Sequence, residues 1–268
     1  MSGSQPDTAA ALESDHALLC AAARAGGAIA KRYFGGPFDV REKSPGDPVT
    51  EADLAVDAEI KRLILGERPE DAWLSEETAD SPARLDARRV WIVDPIDGTK
   101  AFVAGRPEFA VSIALVENGR PIAAAIFNPI TDEFIDAVRN GGTRCNGQRV
   151  QVTEESDTAA LVLGTSHNEL RRKLWRHLFP ESEVEPVDAI AYKLGLLAAG
   201  RFDGVIALRP KSDWDIAAGD LLVHEAGGRM TDADGNVLRY NRAEIRHPNL
   251  VASGPAIHSA LLARLRDR

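Results

Sequence analysis

The stretch Trp91-Ile92-Val93-Asp94-Pro95-Ile96-Asp97-Gly98-Thr99 sets two carboxylates on one turn at the end of an apolar run. Pro95 pushes the residue before it into extended backbone, and Gly98-Thr99 can open a helix whose free N–H groups face the turn. Two acids and an anion-binding helix end therefore converge. Two carboxylates about 4 Å apart repel by roughly 4 kcal/mol at an effective dielectric of about 20, so a proton or a cation must lie between them. With no histidine or cysteine nearby in the sequence, these hard oxygen donors favour magnesium over zinc.

Further acids sit in comparable surroundings. Glu76 and Glu77 follow the apolar Trp73-Leu74 at what reads as a strand end, and Asp215 opens an Ile216-Ala217-Ala218-Gly219 helix directly after Trp214. Taken singly, adjacent glutamates are usually solvated and an aspartate at a helix start is usually a cap. Asp53 has a stronger structural reading still: Thr50-Glu51-Ala52-Asp53 fits a capping-box variant with aspartate in the usual place of glutamate. On local grounds capping wins there.

The elements that position these residues follow from periodicity. A helix is expected from Ser14 to Tyr33, stopped by Gly35-Gly36-Pro37, with the first seven residues reading as a frayed terminus. A second helix is expected from Glu51 to Leu65, where Ala52, Val56, Ile60, Leu63 and Ile64 form an apolar stripe. Short β-prone runs follow at Val90–Val93, Phe109–Glu117, Pro121–Phe127 and Glu133–Val138. The Asn118-Gly119 hairpin signal between two of them points to an antiparallel sheet. Beyond Asn146-Gly147 the pattern alternates: strand Ala160–Gly164, helix Glu169–Leu178, helix Ile190–Ala199, strand Gly204–Leu208, helix Asp215–Ala226. The chain thus reads as α/β in two halves. Residues 1–150 form an α+β half with an antiparallel sheet and most of the candidate metal ligands. Residues 151–268 form an α/β half with a more parallel sheet, which supplies Asp215 and the substrate-pocket wall.

Composition limits the partners. The 268 residues are enough for two packed subdomains without covalent staples, and the two cysteines, Cys20 and Cys145, show no metal-ligand or disulfide spacing. The stretch Ala17–Ala30, interrupted by Arg24, is shorter than the ~20 residues of a membrane span, so a reducing cytoplasm and no membrane partner are expected. Net charge is -9 and the 32 Lys and Arg are scattered, so no nucleic-acid polymer is expected as a partner either. A small anion remains admissible wherever bound cations reverse the local field.

Asp94-Pro95-Ile96-Asp97-Gly98-Thr99, with Glu76-Glu77 upstream, Trp214-Asp215 downstream and the Lys43–Asp53 segment before all of them, closely resembles the inositol monophosphatase superfamily of lithium-sensitive, magnesium-dependent phosphatases. The resemblance runs in order from Lys43 to Gly228 and implies a layered α-β-α-β-α sandwich. It implies that Glu76, Asp94 and the Ile96 carbonyl hold one magnesium, that Asp94, Asp97 and Asp215 hold a second, and that a weaker third lies near Glu76: two to three Mg²⁺ in all. It further implies a catalytic set of Asp53, Thr99 and Glu76, in which Asp53 accepts the Thr99 hydroxyl proton while Thr99 helps take one from the attacking water. Backbone N–H groups of Gly98 and Thr99 would hold the phosphoryl oxygens. Four carboxylates with two or three Mg²⁺ would bring the site to between 0 and about +2, which admits a phosphate dianion. Homodimers are common in such families, although no amphipathic seam in this sequence marks an interface.

Departures from the pattern bear on substrate. The family often has a glycine before the paired glutamates where this chain has Ser75, and inositol-selective members usually carry a hydroxyl-binding glutamate where it has Leu208. Arg209 and Lys211 lie beside Leu208, Thr99-Lys100-Ala101-Phe102 looks more like the 3'(2'),5'-bisphosphate nucleotidase branch, and Lys193 sits where nucleotidases often place a lysine. Against this, Asp188-Ala189-Ile190 replaces an expected Gly-Ser-Ser element. The resemblance therefore implies a small phosphorylated substrate, with Gly98, Thr99, Lys100, Lys193 and Arg209 contacting it. Removal of the 3'-phosphate from 3'-phosphoadenosine 5'-phosphate leads; inositol 1-phosphate, histidinol phosphate or a sugar phosphate is the alternative. A catalytically silent metal-binding homologue is the reading from a different class, and the presence of every acid the chemistry needs weighs against it.

Overall fold

The computed structural model describes residues 5–44 and 47–266. The first part of the chain runs α1 (Gln5–Tyr33), β1 (Val40–Ser44), β2 (Asp47–Thr50), α2 (Glu51–Glu67), β3 (Ala72–Ser75), β4 (Arg89–Asp97), α3 (Thr99–Val103), β5 (Ala110–Glu117), β6 (Arg120–Asn128), β7 (Glu133–Val138), β8 (Gly142–Cys145) and β9 (Gln148–Val150). It continues with β10 (Val162–Thr165), α4 (His167–Arg172), β11 (Glu183–Pro186), α5 (Ile190–Ala198), β12 (Gly204–Ala207) and β13 (Lys211–Ser212). The last elements are α6 (Asp213–Glu225), β14 (Arg229–Thr231), β15 (Arg246–His247), β16 (Leu250–Ser253) and α7 (Pro255–Arg266).

Strands β3 to β9 form a seven-stranded sheet in chain order, antiparallel throughout except for the parallel β3–β4 pair. The alternation along β4 decides what covers each face. Trp91 and Val93 pack with Leu19, Val56 and Ile60 of α1 and α2, whereas Val90 and Ile92 pack with Leu194, Ile216 and Leu222 of α5 and α6. A five-stranded sheet, ordered β11-β10-β12-β16-β14, lies beyond α5 and α6, with Val205 and Ala252 turned toward them. Its other face, with Ile206 and Val251, is covered by Ile257, Leu261 and Leu265 of α7 together with Trp175 and Phe179. The result is the layered α-β-α-β-α arrangement. Each fully buried leucine or isoleucine contributes ~1.5–3 kcal/mol to holding these layers together.

Several local expectations change. Helix α1 begins at Gln5, not Ser14, because Thr8-Ala9-Ala10-Ala11-Leu12 joins the helix rather than fraying; the first four residues of the expected terminus lie outside the described residues. Pro45 and Gly46 of the Lys43–Asp53 motif also lie outside them. The helix expected over Glu169–Leu178 is α4 plus a separate 3₁₀ turn at Arg176–Leu178, since Lys173 adopts a left-handed φ of 52° that ends the first. The second sheet is mixed: β10 pairs in parallel with β11 and β12, but β16 is antiparallel to both its neighbours. Asn118 and Gly119, with φ of 52° and 75°, make the expected hairpin between β5 and β6.

Candidate active site

Strand β4 passes straight through Pro95, and its pairing with β5 slips between Asp94 and Asp97. The proline cannot donate to the ladder, so the strand bulges there and both acids emerge together at its end. Asp94 is 2 % exposed, and its Oδ1 accepts the Ile96 N–H at 3.1 Å. Asp97 also ties the site to the second half of the chain, since its two oxygens accept the N–H groups of Ile190 and Tyr192, both at 3.0 Å. The residue just before α5, Ala189, has no side chain able to cap, so Asp97 caps that helix from across the molecule. Gly98 is required by the same approach: its φ is 91°, and a Cβ there would fall 2.8 Å from the Ala189 Cβ.

Asp53 and Asp215 occupy equivalent places in two capping boxes. Helix α6 begins at Asp213, so Asp215 does not open it as the sequence suggested; it is the third residue and reaches back to accept the Ser212 N–H at 2.6 Å. In the other box, Asp53 Oδ2 accepts both the N–H and the hydroxyl of Thr50, at 2.8 and 2.6 Å. Asp53 Oδ1 instead faces the Thr99 hydroxyl at 3.3 Å. Capping and a contact with Thr99 therefore use different oxygens of one carboxylate. Thr99 Oγ1 also donates toward the Ile96 carbonyl at 3.0 Å, the shorter of its two options for a single proton.

Glu76 and Glu77 lie just past β3, and the Lys43 ammonium donates to both at 2.7 Å. Burial opposes its charge, yet Glu76 and Glu77 hold the Lys43 ammonium above its usual range. Beneath them sits a residue that the sequence reading passed over. Buried Asp57 accepts the hydroxyls of Ser75 and, at 2.7 Å, Thr78, one on either side of the glutamate pair. Its signal was its position four residues after Asp53, on the same face of α2 as the core stripe. Ser75 is thus a fixed point of the loop rather than only an altered turn.

Glu76, Asp94, Ile96, Asp97, Gly98, Thr99 and Asp215 line one cavity of about 180 Å³. Its electrostatics are those of acids short of countercharge. Burial, then the charge of Glu76, raises the Asp94 carboxyl well above the usual range. Burial and Asp215 push Asp97 up to about 7, and burial pushes Asp215 up to about 6. Burial likewise raises Asp53 and pushes Glu77 up to about 7. Such a set takes up either protons or a cation. Its donors are all oxygens, which fits magnesium and does not fit a thiophilic ion.

A second cavity, of about 280 Å³, shares Lys100 and Asp188 with the first. Lys193, Arg209, Lys211, Arg171 and His167 line it, so the cations named from sequence do meet in one place. Lys193 is 1 % exposed, donates to the Val187 carbonyl at 2.8 Å, and is pushed down to about 8 by burial. Asp188, which stands where the Gly-Ser-Ser element was expected, is held by Arg106 at 3.1 Å and by the His167 N–H at 3.0 Å. Leu208 points away into the outer core, while its N–H is accepted at 2.7 Å by the buried Glu169, a lining residue the sequence reading did not single out.

The fold and this carboxylate site define a metal-dependent phosphomonoesterase. The family model for the inositol monophosphatase family matches residues 11–268, and the chain belongs to that family. It is 38% identical over 207 residues to an inositol-1-monophosphatase from Rhizobium meliloti, covering 74% of this chain and 77% of that one. It is 34% identical over 258 residues to Nus factor SuhB from Escherichia coli, covering 92% and 93%. Among solved structures, the inositol monophosphatase of Thermotoga maritima superposes with a TM-score of 0.83 at 29% identity, covering 92% and 95%. The family is magnesium-dependent in general. The SuhB relatives are named as a factor, not as a phosphatase, so the exclusion of a nucleic-acid partner drawn from scattered basic charge does not stand. Among the described residues, no helix is long and apolar enough to cross a membrane.

Proposed function

We propose that this phosphomonoesterase acts on a small metabolite carrying a second anionic group, with a 3'(2'),5'-bisphosphate nucleotide as the leading case. The observation that carries this is the adjacency of the two cavities: an oxygen-donor site meets a cation-lined one across Lys100 and Asp188. Glu76, Asp94, Asp97, Asp215 and the Ile96 carbonyl would hold two to three Mg²⁺. Bound there, the ions would balance a phosphate dianion and lower the pKa of water. Thr99, passing its hydroxyl proton to Asp53 Oδ1, would take a proton from the attacking water, and the N–H groups of Gly98 and Thr99 would hold phosphoryl oxygens. Lys193 and Arg209 would meet the second anion.

A polyol monophosphate such as inositol 1-phosphate is the second reading, favoured by Glu169, a buried carboxylate on the cavity wall able to accept ring hydroxyls in the way Leu208 cannot. The separating experiment compares kcat/KM for 3'-phosphoadenosine 5'-phosphate and adenosine 3'-monophosphate, which share the reacting group. One desolvated cation on the second phosphate, worth ~1.5–3 kcal/mol, gives the bisphosphate an advantage of about tenfold or more. Equal efficiency, or faster hydrolysis of inositol 1-phosphate than of both, would replace the first reading by the second.

A further inference from the structure

Away from the carboxylate site, three donors of mixed type converge where α1 crosses the seven-stranded sheet. His16 and Cys20 lie one turn apart on α1, and Asp136 lies on β7, three strands from β4 in the sheet order. His16 Nε2 is 3.0 Å from Asp136 Oδ2 and 3.4 Å from Cys20 Sγ, and the ligand atoms all lie within 4.8 Å of one another. Asp136 is 8 % exposed, and His16 and Cys20 are half-buried.

We propose that His16, Cys20 and Asp136 form a second metal site, one that takes zinc rather than magnesium. The donor set is imidazole nitrogen, thiol sulfur and carboxylate oxygen, which suits Zn²⁺ and not a hard cation. Geometry agrees with chemistry. Zinc bonds of about 2.0–2.3 Å in a tetrahedron place nitrogen and sulfur about 3.5 Å apart, and nitrogen and oxygen about 3.3 Å apart. Both observed separations lie within a few tenths of an ångström of these. A hydrogen-bonded His–Asp pair alone would account for two of the three groups, but not for the sulfur directed at the same nitrogen. Binding releases the Cys20 thiol proton, and the resulting thiolate, the Asp136 carboxylate and Zn²⁺ sum to zero charge, which a half-buried site tolerates. Burial, then the charge of Asp136, holds the metal-free thiol up to about 12, so without a cation it stays protonated and inert. Arg24, one turn further along α1 with its guanidinium 3.8 Å from the Phe134 ring centre, sits beside the thiolate without offering a ligand atom. Water would complete the coordination. The site pins the N-terminal helix to β7.

The test uses the full chain in excess Mg²⁺, with Co²⁺ and Zn²⁺ as the probes. Co²⁺ should produce a thiolate-to-cobalt charge-transfer band at about one equivalent, reversed by Zn²⁺, because the oxygen-donor site contains no sulfur. The band should vanish in Cys20→Ser and persist in Cys145→Ser. Asp136→Asn, which keeps the thiol, should weaken Zn²⁺ binding at least about tenfold by calorimetry. Saturating Zn²⁺ should raise the Tm of the wild type and leave that of Cys20→Ser unchanged. No charge-transfer band, or one that survives Cys20→Ser, overturns the site; an equal Tm rise in both proteins overturns the pinning.

Discussion

The two adjoining cavities are built on opposite principles. In the first, acids sit at element ends, Asp94 and Asp97 buried and Asp215 half-buried, and are held by backbone: Asp97 by Ile190 and Tyr192, Asp215 by Ser212, Asp94 by Ile96. In the second, most of the charge rides on long side chains, with Lys100 and Arg209 exposed and Lys193 held by the Val187 carbonyl. A rigid anionic site is preorganised to hold cations at fixed positions, which in-line displacement needs, whereas mobile cations can follow substrates of different shape. Chemistry should therefore be intolerant of change in the first cavity. Changes in the second should shift substrate preference.

The largest break in that contrast is expected from Asp94→Asn. This removes the carboxylate expected to be shared by both principal cations, and turnover measured by phosphate release should fall at least about 10²-fold. A variant that retains wild-type turnover would show that the buried acids are structural. Next come Asp53→Ala and Thr99→Ala, each expected to lower kcat by about 10²-fold while changing KM little. Asp53→Ala should also lose ~1 kcal/mol in thermal unfolding, because Oδ2 caps α2 while Oδ1 faces Thr99. Stability loss with normal kcat would leave Asp53 as a cap alone.

The smallest effect is in stability against pH. Asp97 and Asp215, held at about 7 and about 6 in the folded chain, titrate near 3.8 when unfolded, so the folded state binds more protons over that window. Metal-free protein should lose stability as pH rises from about 4 to about 7, and added Mg²⁺ should restore more at pH 7.5 than at pH 5. Melting temperatures with and without chelator across this range check the sign. A metal-free chain that grows more stable over the same range would contradict the assignment of these acids as short of countercharge.

The motif acids were legible because their spacing is local: Asp94, Asp97 and Thr99 share one turn, and Thr50-x-x-Asp53 shows its capping box in four residues. The unbroken apolar run from Val90 to Val93 similarly marked a buried strand, and the structure covers both of its faces. What stayed hidden depends on contacts between distant segments. Asp57 acquires its role only when Ser75 and Thr78 arrive 18 and 21 residues later. Asp97 caps a helix that begins 93 residues away. Glu169 reads as an ordinary polar residue, and Asp188 only as a departure from the expected Gly-Ser-Ser element, until the fold brings both beside Lys193. His16 and Cys20 stand at i and i+4, which puts two ligand atoms on one face of α1, but a pair alone does not mark a site until Asp136 on β7 joins it.

The central claim is that the cavity of buried acids works only when cations fill it. The direct measurement is phosphate release from 3'-phosphoadenosine 5'-phosphate and from inositol 1-phosphate as free Mg²⁺ is raised from chelated conditions to saturation. The account predicts no measurable release of phosphate from either substrate under chelation and a saturable rise with Mg²⁺ for whichever is accepted. Undiminished turnover in excess chelator would contradict it.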